Sequence, residues 1–140
     1  MIHFTRDELI RSRKAQELGI DNTPPDPILA SLDATLAGLE RVRAALGHPM
    51  VISSGYRCPA LNAAVGGSKT SQHMLGQAAD FVCPAFGDPA AVVAKLAPMR
   101  RVLGLDQIIL EATWIHVSFT VTPRYQVLRA APGGKFERLA

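Results

Sequence analysis

Asp106-Gln107-Ile108-Ile109-Leu110-Glu111-Ala112-Thr113-Trp114-Ile115-His116-Val117-Ser118-Phe119-Thr120 holds two strand-like runs, 106–111 and 114–120, with only Ala112-Thr113 between them. Two β-branched and aromatic runs separated by two residues read as a β-hairpin. Side chains alternate along a strand, so Trp114, His116 and Ser118 share one face. Ile115, Val117 and Phe119 share the other, which is apolar and faces the core. His116 is therefore available for chemistry. If Ala112-Thr113 is a two-residue turn, Glu111 pairs with Trp114 and joins the face of His116. In a continuous strand it would point the opposite way. Ala-Thr is a poor dipeptide for a primed turn, so a bulge or a wider loop is the alternative connection.

Outward from this hairpin the elements are mostly helical before it. Residues 5–18 read as one helix, with Thr5 as cap, Glu8 as its capping-box partner and Gly19 after its end. Asp21-Asn22-Thr23-Pro24-Pro25-Asp26-Pro27 is a stiff loop. A second helix, 28–46, carries Ile28, Leu32, Leu36, Leu39, Val42 and Leu46 at helical spacing. Residues 50–53 form a short strand entering the Ser54-Gly55-Tyr56-Arg57 turn. A short helix follows over 59–65, then a flexible loop over 66–70. Residues 77–82 read as a strand and 89–99 as a helix capped by Asp88, with Pro89 at its first position. One more strand is expected at 126–128. The end, from Ala131-Pro132-Gly133-Gly134 to 140, reads as a loose tail. Helices first and mostly antiparallel strands afterwards give an α+β fold.

The 140 residues set the expectation of one domain, 1–140. Hydrophobic residues make up 48%, enough for a core, and charged residues 19%, which excludes a disordered chain. The net charge of +3 lacks the dense basic stripe of a nucleic-acid binder but is compatible with a polyanionic partner. No stretch reaches the ~20 apolar residues of a membrane span. Met1-Ile2-His3-Phe4-Thr5-Arg6-Asp7 has no apolar core, so it is not a signal peptide, and synthesis in a cytoplasm is expected. Cys58 and Cys83 are then expected as free thiols. A monomer is the default for a chain of this size.

The second informative stretch is Ser71-Gln72-His73-Met74-Leu75-Gly76-Gln77-Ala78-Ala79-Asp80. Asp80 sits in an apolar run, where a carboxylate needs a partner. His73, Asp80 and His116 together offer two imidazoles and one carboxylate. Two Cys exclude a Cys-rich structural zinc site, and three ligands leave the fourth tetrahedral position open, as in catalytic zinc sites. An open site implies hydrolysis by metal-activated water. Glu111 is then the candidate general base. Arg57, after a glycine turn, suits a substrate carboxylate or a developing oxyanion. Ser71 offers a hydroxyl for substrate backbone or for loop capping. Trp114 is a pocket wall or core residue. Asn62 and Gln72 serve to orient ligands or to satisfy their own loops.

These residues resemble the zinc D-alanyl-D-alanine carboxypeptidase family, which also holds D-alanyl-D-alanine dipeptidases and phage endolysin peptidases. The hallmark, Ser-x-His-x-x-Gly-x-Ala-x-Asp followed by Trp-x-His, is matched by Ser71–Asp80 and Trp114–His116. Ser54-Gly55-Tyr56-Arg57, Asn62 and Gly67-Ser68 match as well. The likeness is to the small, phage-type branch, where the 21–24 loop and the 124–128 segment also look familiar. The resemblance implies an α+β fold with a small, mainly antiparallel sheet under helices. It implies one Zn2+ held by His73, Asp80 and His116 on the sheet face. It implies cleavage of peptide bonds in peptidoglycan stems, with Arg57 and Ser71 at substrate-contacting positions. Many members carry an acidic base three residues before the second histidine. Here that residue is Thr113, so the base role falls to Glu111 through the hairpin reading.

The expected activity is thus that of a zinc peptidase, either a D-Ala-type carboxypeptidase or an endolysin endopeptidase. It would act on the cell wall after release or be carried in a phage particle. The competing reading is an inactive wall-binding or virion structural module that keeps the zinc fold. A metal-free regulatory domain would require His73, Asp80 and His116 to be unrelated in space.

Overall fold

In the computed structural model, which describes residues 2–140, the hairpin forms the middle of a six-stranded sheet. The strands are β1 (Val51–Ser54), β2 (Ala78–Val82), β3 (Gln107–Leu110), β4 (Ile115–Ser118), β5 (Gln126–Ala131) and β6 (Lys135–Arg138). Their spatial order is β1-β2-β4-β3-β5-β6. Every neighbouring pair is antiparallel except β3 and β5, which run parallel. This is the α+β fold with a mainly antiparallel sheet read from the sequence.

The register follows from alternation. Ile115 and Val117 pair with Phe81 and Ala79 on one side and with Leu110 and Ile108 on the other. All except the partly covered Leu110 are deeply buried. This face packs with helices α3 (Asp26–Leu46) and α5 (Pro89–Leu96), whose Leu32, Leu39, Val42, Val92 and Leu96 are buried in the same core. Each such side chain contributes roughly 1.5–3 kcal/mol of hydrophobic stabilisation. Gly38 brings α3 against Phe119, since a Cβ at Gly38 would land on the Phe119 ring. Cys58 and Cys83 are buried and unbridged.

Several expectations need correction. Residues 5–18 are not one helix but α1 (Arg6–Ile10) and α2 (Arg13–Leu18). Arg11 is extended, and the Ser12 hydroxyl accepts from Ala15 N at 3.1 Å, so a second N-cap restarts the helix. The α3 helix begins two residues before Ile28, because Pro27 fits the first helical turn. A short helix, α4 (Pro59–Ala64), matches expectation. The loop leading to His73 closes into a 3₁₀ turn, Gln72–Leu75. The loose tail is the largest correction. Residues 132–134 form a 3₁₀ turn and 135–138 form β6, paired with β5 from Leu128↔Arg138 to Ala131↔Lys135. Every β6 residue is exposed, so its sequence carries no buried alternation to betray a strand.

One buried carboxylate ties these parts together. Asp106 accepts from Arg124 Nε (3.0 Å), Arg124 Nη2 (2.6 Å), Arg124 N (2.8 Å) and Gln72 Nε2 (3.0 Å). It thereby joins the start of β3, the approach to β5 and the 3₁₀ turn that carries His73. Burial alone would push its carboxyl up, but the bonds from Arg124 and Gln72 outweigh that and hold it at about 2. A depressed folded-state pKa contributes stability that is complete above the unfolded value of about 4 and is lost as pH falls through the folded value. We therefore expect Asp106→Asn to lower stability at pH 7 by about 2–4 kcal/mol, under the roughly 3–5 kcal/mol of a fully buried broken pair because the Arg124 side chain is half exposed. Urea midpoints should show the gap to wild type narrowing as the pH is lowered from about 4 toward about 2.

Candidate metal centre and active-site cleft

The sheet face opposite the core carries the site. Asp80 on β2 lies directly across from His116 on β4, and His116 lies across from Ile109 on β3. Asp80 Oδ1 is 2.9 Å from His116 Nδ1 and 3.3 Å from His73 Nε2. The two imidazole rings stand edge to face with centroids 5.0 Å apart. One ligand atom from each of His73, Asp80 and His116 falls within 4.8 Å of the others. Residues far apart in sequence thus converge as a three-donor cluster.

His73 is held by the backbone around it. Its main-chain N donates to the Ser71 hydroxyl at 3.2 Å, and its carbonyl accepts from Arg57 N at 3.1 Å. Its Nδ1 sits 2.7 Å from the Gly55 carbonyl, so Nδ1 carries the proton and Nε2 presents a lone pair. Gly55 can offer that carbonyl because the chain there runs against α1. A Cβ at position 55 would meet the backbone of Leu9, whose carbonyl accepts from Tyr56 N at 2.6 Å. Buried Asn22 braces the same turn, donating to the Ile10 and Tyr56 carbonyls at 2.7 and 3.0 Å and accepting from Cys58 N at 2.8 Å. Thr35 of α3 anchors the end of the 3₁₀ turn by donating to the Gly76 carbonyl at 2.7 Å. The Gly-Tyr-Arg turn and the 21–24 loop are therefore parts of the histidine's support.

The donors fit a metal. His73 Nε2 is buried without a hydrogen bond of acceptable geometry, despite the nearby carboxylate. A buried nitrogen with no partner is rare and calls for an explanation such as an ion. Burial lowers the His73 pKa, opposed by the Asp80 carboxylate, and so favours the neutral imidazole a metal requires. Burial alone would raise the Asp80 carboxyl, but the hydrogen bond from His116 and the closeness of both imidazoles hold it far below the usual range, in the anionic form. Two imidazoles and one carboxylate are a donor set suited to zinc with an open fourth position.

The other candidates line one cleft of about 400 Å³ with the three donors, namely Arg57, Ser71, Glu111 and Trp114. Glu111 N donates to the Trp114 carbonyl at 3.1 Å, which closes the hairpin over Ala112-Thr113. Neither loop residue has positive φ, so the turn is not of the primed type. Glu111 consequently shares the face of His116. Burial raises its carboxyl pKa, with His116 opposing and Asp80 reinforcing the shift. Thr113 is exposed at the hairpin tip and does not line the cleft. Arg57 Nη1 donates to Asn62 Oδ1 at 3.1 Å, and Asn62 Nδ2 donates to the Ser68 carbonyl at 2.9 Å. Asn62 thus fixes both Arg57 and the loop over it. A Cβ at Gly67 would collide with this pair, which explains the small residue there.

Residues that sequence reasoning left without a role also line the cleft. Arg124, oriented by Asp106, forms part of its wall, as does Phe136 on β6. Tyr125, which links Arg124 to β5, takes φ of 57°, held by Arg100 Nε on its carbonyl at 2.8 Å and by the Arg101 guanidinium 4.7 Å from its ring. The likeness of the 124–128 segment to the phage-type branch is the one signal at Arg124, and it assigns the residue no role. Only the fold brings 124 and 136 beside 73 and 116.

Zinc titrated into the metal-free protein should bind at one ion per chain. At a hundredfold excess over Kd it should add about 2.7 kcal/mol of stability, which shifts the melting temperature of a domain of this size by several degrees. In His73→Ala, Asp80→Ala or His116→Ala the shift and the stoichiometric zinc, read by atomic absorption, should both be lost.

The peptidase M15 family model matches residues 2–118. No curated protein matches the chain. The match spans His73, Asp80 and His116 together with Arg57, Ser71, Glu111 and Trp114, and stops before Arg124 and Phe136. This chain belongs to the peptidase M15 family, a zinc D-alanyl-D-alanine carboxypeptidase-like family.

Proposed function

We propose that this peptidase hydrolyses peptide bonds in bacterial peptidoglycan, in stem peptides or their cross-links, with zinc held by His73, Asp80 and His116. The observation that carries the reading is the convergence of buried, unpaired His73 Nε2 on Asp80 and His116, with Glu111 lining the same cleft. Zinc in this donor set supplies a water of lowered pKa and polarises a carbonyl.

The chain's own groups account for the remaining steps. Glu111 takes one proton from the attacking water as the new C–O bond forms. It then delivers that proton to the leaving amine as the C–N bond breaks, so atoms and charge balance. The upward push on its pKa suits both halves of this task. Arg57, charged and partly withdrawn from water, donates to the oxyanion that develops on the carbonyl oxygen. The Ser71 hydroxyl accepts from His73 N and still has its own proton to donate to a substrate carbonyl. Trp114 forms an apolar wall for a substrate residue. On this reading the protein acts on the wall after release from a cell or when carried in a phage particle.

Mass spectrometry of soluble products from purified peptidoglycan, with and without chelator, tests the reading. New stem-peptide fragments that vanish with chelator are expected, and their masses name the bond. Glu111→Gln should retain stoichiometric zinc while kcat falls about 10²- to 10⁴-fold. Zinc bound and wall bound without turnover, across several wall chemotypes, would instead identify an inactive wall-binding or virion structural module.

A further inference from the structure

The cleft does not end at the catalytic residues. A second cavity, of about 600 Å³, shares Arg57, Gly67, Glu111 and Trp114 with the first and opens on its far side. Its remaining wall brings up Arg11 from the break between α1 and α2 and Arg13 and Lys14 from the first turn of α2, with the exposed Val65 side chain also lining it. With Arg57, four cations face this space, and Glu111 is the one carboxylate among its lining residues.

Arg6, Arg124 and Arg129 are neutralised by Asp33, Asp106 and Glu137, whereas Arg41, Arg43, Arg100, Arg101 and Arg138 are in no ion pair among the described residues, so what sets this cavity apart is that its cations gather on one concave wall. Arg11, Arg13 and Lys14 form no ion pair among the described residues. Unpaired like charges in a concave wall focus a positive potential and attract anions. The cluster is confined to a cavity that begins at the catalytic carboxylate, and the overall charge is only +3, which disfavours an extended polyanion such as nucleic acid.

We propose that this second cavity is a substrate subsite for a carboxylate-bearing peptide segment, recognised by Arg11, Arg13 and Lys14 beyond the bond that is cut. The assignment rests on the peptidase reading of the adjoining cleft. It makes the preferred substrate an acidic peptide. The carboxylate can be a chain terminus or a side chain, and selective amidation separates the two.

Trp114 is the single tryptophan and lines both cavities, so its fluorescence reports occupancy directly. The experiment titrates the zinc-loaded protein by stopped flow, before hydrolysis accumulates. The ligands are a synthetic stem pentapeptide with free carboxylates, versions amidated at the terminus alone or at the side chains alone, and the fully amidated peptide. Wild type should bind the free-carboxylate peptide about tenfold more tightly than the fully amidated one, with the gap shrinking as salt is raised. In the Arg11→Ala/Arg13→Ala/Lys14→Ala variant that ratio should fall to about one. Lys95→Ala, which removes an exposed cation on α5, should keep it. No preference in wild type, or a preference that survives the triple substitution, overturns the subsite. Products are followed in parallel. A charge-dependent preference with no cleavage of either the pentapeptide or purified cross-linked peptidoglycan would sink the peptidase reading and leave the cavity as a carboxylate-binding site only.

Discussion

Everything in the site depends on one buried carboxylate held between two imidazoles. Asp80 faces His116 across the β2–β4 ladder and His73 from the 3₁₀ turn above it. A carboxylate in such surroundings is costly unless it is paired. The register that pairs it is the same register that buries Phe81, Ala79, Ile115 and Val117 on the other face. A one-residue slip of β4 against β2 would turn His116 toward the core and expose Ile115 and Val117. The hydrophobic core therefore sets the geometry of the His73–Asp80–His116 donor cluster, and the cluster adds no separate positioning requirement to the sheet.

The third donor is positioned differently. His73 does not sit on a strand, so its placement comes from buried polar anchors. Gly55 fixes its ring, Asn22 fixes the turn that contains Gly55, and Thr35 and Asp106 fix the two sides of its 3₁₀ turn. Each anchor satisfies backbone or side-chain groups that would otherwise be buried without partners. This arrangement gives a loop residue the precision of a strand residue. It also explains why polar side chains as far apart as 22, 35 and 106 are buried in so small a chain.

The cleft around the donors is built by elements that contribute unequally. The core of the site comes from the segment matched to the family, but the wall on the β5–β6 side comes from beyond it, through Arg124 and Phe136. The wall on the opposite side comes from the interruption between α1 and α2. A single uninterrupted helix over 5–18 would lack the extended Arg11 and the Ser12 cap that now form part of the second cavity's wall. A local break in secondary structure thereby becomes part of the cavity wall.

The sequence by itself determined the features that depend on near neighbours. Alternation from Trp114 to Phe119 separated His116 from the core face, two residues between strong strands placed Glu111 beside it, and two Cys excluded a thiolate site. Proline and glycine signals bounded α3 and α5. These are legible because rotation per residue and cap chemistry act over a few positions. Only the tertiary structure decided that Ser12 would restart a helix and that Lys135–Arg138 would pair as an edge strand. It alone made Asp106 a hub for Arg124 and Gln72, and gave the cleft a second, basic cavity. The reason is physical. An exposed edge strand is defined by the backbone of its neighbour, and a buried carboxylate by the donors that the fold delivers to it. Neither leaves a periodic trace in its own residues.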